Sequence, residues 1–138
     1  CGLSPHSLLA EFTAESSDPK ALTLLRLSGD VGVDESGEGC WIEALAAWRV
    51  PVLMLAQPRP DGRFGGIVPA SVAFARELNL SLLGLVQLGG EWDAAARRSD
   101  GLPWCGCLQG PDDDPRGLIS CLRHRRGLVA RAAVSGSP

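Results

Sequence analysis

Four short apolar runs, fenced by proline or glycine and separated by stretches of helical periodicity, constrain this chain more than any other feature. Ala21–Leu27 (ALTLLRL) lies between Pro19 and Gly29, and Pro51–Gln57 (PVLMLAQ) stops at Pro58 and Pro60. Ser81–Leu88 (SLLGLVQL) stops at Gly89 and Gly90, and Leu102–Leu108 (LPWCGCL) is the fourth. Apolar runs of this length suit strands, and the unbroken run at Pro51–Gln57 suits a parallel strand buried on both faces. The segments between them read as helices. Cys40–Arg49 sets Ile42, Leu45, Ala46 and Trp48 on one stripe. Ile67–Leu78 carries Pro69 early enough for a first helical turn. Glu91–Arg98 has acids first and arginines last, which suits the helix dipole. Asp112–Asp114 followed by Pro115 resembles a cap and a first helical residue, opening a helix to about Arg125. Ser4-Pro5 opens another, to about Ser16.

The resulting order, α-β-α-β-α-β-α-β-α, predicts an α/β fold: a parallel sheet with helices on both faces. A chain of 138 residues fits one domain, read here as residues 1–131, with 132–138 (AAVSGSP) as a flexible tail.

Composition narrows the function classes. Hydrophobic residues at 45% and charged residues at 21% match a soluble globular protein. A net charge of −3 gives no general reason to expect nucleic acid or an anionic membrane as a partner. The apolar runs fall far short of the ~20 residues that a membrane span needs. Five cysteines, an odd number, do not suggest a disulfide framework, so the expectation is a cytoplasmic chain with reduced thiols. The first residue is Cys1, which fits a fragment or a processed chain. A mature lipoprotein also begins with cysteine, a third reading that an upstream signal peptide with a lipobox would support. Lys20 is the only lysine, so any mechanism that needs a phosphate-binding lysine has one candidate.

In sheets of this kind, ligands bind beyond the carboxyl ends of the strands. Four loops are expected there: Ser28–Gly39, Pro58–Gly66, Gly89–Gly90 and Gln109–Asp114. The first holds four glycines with Asp30, Asp34, Glu35 and Glu38. Glycine lets backbone approach a phosphate and carboxylates hold Mg²⁺, but the same composition also describes a solvated surface loop. The second loop leads into a helix N-terminus, where amides with Arg59 or Arg63 could cradle an anion; an ordinary turn is the other reading. No segment fits GxxxxGK[ST], so the chain is not expected to turn over a nucleotide by itself. Cys105 and Cys107 lie two apart in a strand, and Cys121 and His124 one helical turn apart. That set could hold zinc, or could be small buried hydrophobes. Arg116–Arg131 contains five arginines and no acid, but no interleaved aromatics that would point to nucleic acid. Neither His6 nor His124 lies in a nucleophile motif.

From Leu24 to about Leu108 the chain resembles the C-terminal half of dethiobiotin synthetase, a P-loop enzyme of biotin synthesis. MinD/ParA-type ATPases and cobyrinic-acid amidases are more distant likenesses. IEALAAWRVPVLMLAQ (Ile42–Gln57) is similar to the family's helix and strand joined by a "W-x-x-P-V" turn. LNLSLLGLVQLGG (Leu78–Gly90) is similar to its "L-P-x-x-G-x-V-x-N" strand, and LPWCGCL (Leu102–Leu108) to "G-L-P-x-x-G-x-L". The resemblance implies ATP, Mg²⁺ and CO₂ closing a ureido ring on diaminopelargonate, commonly in a homodimer. It implies that the phosphate loop belongs to a half that would precede Cys1. It implies cofactor-side roles for Gly29, Asp30 and Gly32, with Asp30 toward the metal, and a base-side role for Gln87. Two departures stand out. Ser28 occupies the place of a metal-side glutamate, and Gln87 or Leu88 that of the base-reading asparagine. The alternative is a non-catalytic α/β module that kept the fold and lost the site.

Overall fold

The computed structural model describes residues 4–15, 23–34, 37 and 39–135. The chain divides after Val50 into two compact units.

The first unit is helical. α1 (Pro5–Glu15) starts where Ser4 accepts the Ser7 amide on its hydroxyl at 3.1 Å. α2 (Trp41–Ala47) starts at Cys40, whose amide donates to Glu43 Oε2 at 3.2 Å, satisfying a donor that the helix itself cannot. Leu9 from α1 and Ile42, Ala44 and Leu45 from α2 are buried, and the two helices pack together. Trp48 Nε1 donates to His6 Nδ1 at 3.0 Å, across the same pair of segments. Arg49 turns left-handed (φ 53°), and the Val50 amide reaches back to the Leu45 carbonyl at 3.0 Å. That closes the helix in the manner usually given to glycine.

The described part of the first expected strand is not a strand. Of Ala21–Leu27, the first two residues lie outside the described set, and 23–27 adopt no regular structure. Leu24 is 83% exposed. An apolar run becomes a strand only where a neighbour supplies ladder partners, and none does here among the described residues.

The second unit is a βαβαβα array. Its elements are β1 (Val52–Ala56), α3 (Ile67–Glu77), β2 (Leu82–Leu88), α4 (Ala94–Ser99), β3 (Trp104–Leu108) and α5 (Arg116–Ser135). All strands are parallel, in the order β1-β2-β3. Met54 pairs with Leu85, and Leu85 with Trp104. α3 ends as α2 does: Asn79 is left-handed (φ 53°) and the Leu80 amide bonds the Ala75 carbonyl at 2.9 Å. Asparagine tolerates that conformation better than most residues. α4 is capped by Asp93, whose carboxylate accepts from the Ala95 and Ala96 amides at 2.9 and 3.0 Å. Glu91 and Trp92, expected inside this helix, precede it. α5 runs beyond the expected stop near Arg125 because Gly127 weakens a helix by only about 1 kcal/mol and does not end it.

Helices cover both sheet faces. Leu85, Ala56 and Val72 form the core on the α3 side, joined by Phe64, Val68 and Trp104. Successive strand residues point to opposite faces. Gly84 and Val86 therefore face away from that core, toward α5, where Arg125 approaches Gly84 and Leu118 approaches Gly106. β2 is buried on both faces, as expected of a central strand. β1 is not: Leu55 is 57% exposed, because α5 packs chiefly on β2 and β3. No helix among the described residues is long and apolar enough to cross a membrane.

Candidate functional site at the carboxyl edge of the sheet

Three connections leave the carboxyl ends of the strands: 57–66, 89–93 and 109–115. Gln87 stands at their root, one residue from the end of the central strand. Its side chain is on the Leu85 face and it is 0% exposed. Gly89 and Gly90 follow with φ of 68° and 70°, curling the chain back over the amide. Nε2 consequently donates to the carbonyls of Gly89 (2.9 Å), Gly90 (3.4 Å) and Glu91 (3.0 Å). Three acceptors around one nitrogen fix which end of the amide is which. Oε1 is buried and has no partner among the described residues.

The surrounding loops are sewn to this bend. Gln109 Nε2 donates to the Gly90 carbonyl at 2.6 Å and lies 2.9 Å from Cys107 Sγ. The Gly89 amide donates to the Leu108 carbonyl at 2.7 Å, and the Gln109 amide to Asp113 Oδ2 at 2.9 Å. Gly90 has no room for a side chain, since a Cβ there would lie 2.6 Å from Pro58 Cγ. In the first connection, Arg59 and Arg63 close a turn through the Arg59 amide and the Arg63 carbonyl at 2.8 Å. The Arg59 guanidinium rests against Gly65, just ahead of α3.

Gly29, Asp30 and Gly32 come together in the first unit, in a turn preceded by no strand among the described residues. The expected place of Ser28–Gly39 at a strand's carboxyl end is therefore corrected. Asp30 Oδ1 accepts the Gly32 amide at 2.9 Å, and the Ile42 amide donates to the Val31 carbonyl at 3.0 Å. Asp34 takes the Gly37 and Gly39 amides at 2.6 and 3.0 Å. These amides, the natural ligands of a phosphate, already face carboxylates of the same loop. Asp30 is exposed, as is Ser28. Glu35 and Glu38 lie outside the described residues. Gln87 belongs to the second unit.

Among the described residues no three His, Cys, Asp or Glu side chains are grouped to hold a metal ion. This corrects the zinc reading of Cys105, Cys107, Cys121 and His124. Its physical reason is a bulge: Leu85 pairs with Trp104 but Val86 with Gly106, so the two-residue alternation across β3 is broken. Cys105 turns to the Leu83 carbonyl at 3.6 Å and to the Cys121 thiol, whereas Cys107 meets Gln109. Burial pushes the Cys105 thiol up to about 11, against the opposing pull of the Arg125 guanidinium.

The anchoring of Gln87 by loop carbonyls was missed by sequence reasoning, although the Gly89–Gly90 pair that makes it possible is plain in the sequence. No protein-family model matches the chain, and no curated protein matches it.

Proposed function

We propose that this chain is the base-side half of a dethiobiotin-synthetase-like, ATP-dependent ligase, in which the second unit receives the adenine of ATP at the carboxyl edge of its sheet. The observation that carries this reading is Gln87. Its amide nitrogen is held by three carbonyls, so its oxygen can only accept, and that oxygen is buried without a partner. A buried acceptor left empty costs roughly 1–3 kcal/mol, which a ligand N–H would recover. The 6-amino group of adenine is such a donor; the 6-oxo group of guanine or hypoxanthine is not.

Magnesium and the phosphates do not fit the described residues. Asp30 is an exposed carboxylate that belongs to no group of three ligand side chains among the described residues, and the Gly32 and Gly37 amides of its loop are already committed. No catalytic step is therefore assigned to this chain. Ureido-ring closure on diaminopelargonate would require the phosphate loop and its lysine from another polypeptide segment. The same two observations favour a second reading, a nucleotide-binding module that performs no chemistry.

Thermal unfolding with MgATP and MgITP tests the base-side reading. Saturation at 100 times the dissociation constant stabilises a protein by about 2.7 kcal/mol. The expected result is a rise in Tm with MgATP and a clearly smaller one with MgITP. No shift with MgATP sinks nucleotide binding, and equal shifts remove Gln87 as the reader of the base. Ring closure in the presence of a phosphate-loop half would separate the ligase from the silent module.

A further inference from the structure

We propose that the second unit carries a separate site for a small, flat, singly charged anion, of the aromatic carboxylate class, in a groove between α4 and the start of β3. The groove has a volume of about 400 Å³, within the range of small-molecule sites. Its walls include Trp92, Leu102 and Trp104, and three arginines, Arg97, Arg98 and Arg125.

The walls are held before any ligand arrives. The Arg97 guanidinium lies 4.5 Å from the Phe64 ring centroid and 5.3 Å from that of Trp104. Its Nη1 donates to Asp100 at 3.1 Å and its Nη2 to the Gly62 carbonyl at 3.3 Å, while Nε is buried with no acceptor among the described residues. Trp104 Nε1 donates to Asp100 at 2.9 Å, and Trp92 stands edge-on to Trp104 with centroids 6.1 Å apart. Arg125 is tied to three backbone carbonyls. Fixed walls reduce the ordering cost of binding.

Charge decides the ligand class. No carboxylate lines the groove, and the adjacent Asp100 is engaged by Arg97 and Trp104. Arg98 is exposed and makes no hydrogen bond or ion pair among the described residues. One free guanidinium suits one carboxylate, and Arg98 lines the same groove as Trp92 and Trp104, whose indoles suit a flat apolar body. Gln87 is not part of this lining, so the inference does not rest on the nucleotide reading.

The test is calorimetric titration with 2-naphthoate and with its neutral isostere 2-naphthamide. The wild-type chain should saturate with naphthoate and bind it at least about tenfold tighter than the amide. Arg98→Gln, at an exposed position, should abolish that preference while leaving the amide's affinity unchanged. Trp92→Ala should weaken both probes. Equal affinity for the two probes, a preference that survives Arg98→Gln, or no saturation with millimolar naphthoate would overturn the proposal.

Discussion

Arg125 Nη1 donates to the carbonyl of Leu83 at 3.2 Å, joining α5 to the start of the central strand. The same guanidinium serves the Pro103 carbonyl at 3.1 Å and the Trp104 carbonyl at 3.0 Å, next to the bulge in β3. Arg125 sits on the covered face of α5, in line with Leu118, Leu122 and Val129, where an apolar side chain would be the ordinary choice. A planar group with five donors can satisfy several carbonyls that a bulge has left partly unpaired. Arg125→Ala should therefore destabilise the second unit by about 2–4 kcal/mol, because it removes the donor and leaves the acceptors. Arg125→Lys should restore less than half of that loss. Urea unfolding followed by circular dichroism measures both.

Gly84 and Gly106 both have a φ near +150°, at 148° and 151°, yet their surroundings differ. A Cβ on Gly84 would lie 2.5 Å from both Cys105 Sγ and the Pro103 carbonyl oxygen. On Gly106 the nearest atom is Leu118 Cδ1 at 3.9 Å. Backbone strain is common to both sites, but collision is confined to one. Gly84→Ala is expected to cost over about 3 kcal/mol, and Gly106→Ala on the order of 1–2 kcal/mol. The order of the two urea midpoints checks this, and a reversal would refute the packing of Cys105 over Gly84.

The raised Cys105 thiol gives a pH dependence with a definite sign. Between the ordinary thiol value of 9.0 and about 11, the folded chain keeps a proton that the unfolded chain releases. Stability contributed by the neutral thiol is thus complete below pH 9 and declines as pH rises toward 11. Unfolding midpoints measured from pH 8 to 11 should fall for the wild type, and fall less for Cys105→Ala.

Asp93 offers a smaller, cleaner test. Asp93→Ala should cost about 1 kcal/mol by uncapping α4, and Asp93→Asn should recover most of it. Because α4 has only six residues, loss of the cap should appear first as faster amide hydrogen exchange at Ala95 and Ala96.

Local chemistry explains which parts of the fold could be read from the sequence. β1, β2 and β3 fall within the apolar runs at Pro51–Gln57, Ser81–Leu88 and Leu102–Leu108, because proline and glycine mark their ends. The run at Ala21–Leu27 has the same composition and bears no strand at 23–27, because pairing depends on a neighbour rather than on the run itself. The helix ends at Arg49 and Asn79 are closed by left-handed residues that carry no glycine signal. Gln87 is singled out only by what the family resemblance implies for a base-side residue, and its three carbonyl partners come from the backbone path of Gly89–Glu91. The groove walls were illegible for a simpler reason: Gly62, Arg97 and Asp100 meet only after folding, and no spacing rule links Gly62 to Arg97.

The order of strands in the sheet bears on how the second unit is made. Met54 finds Leu85, and Leu85 then finds Trp104, so each strand docks on the one synthesised just before it. Among the described residues, no strand has to wait for a partner from the far end of the chain. A sheet built in the order of translation can therefore assemble as the polypeptide emerges, with each crossover helix closing one modest loop. Its unpaired edge then advances from β1 to β2 to β3, so the interval in which β2 stands uncovered ends with the arrival of β3 and α5.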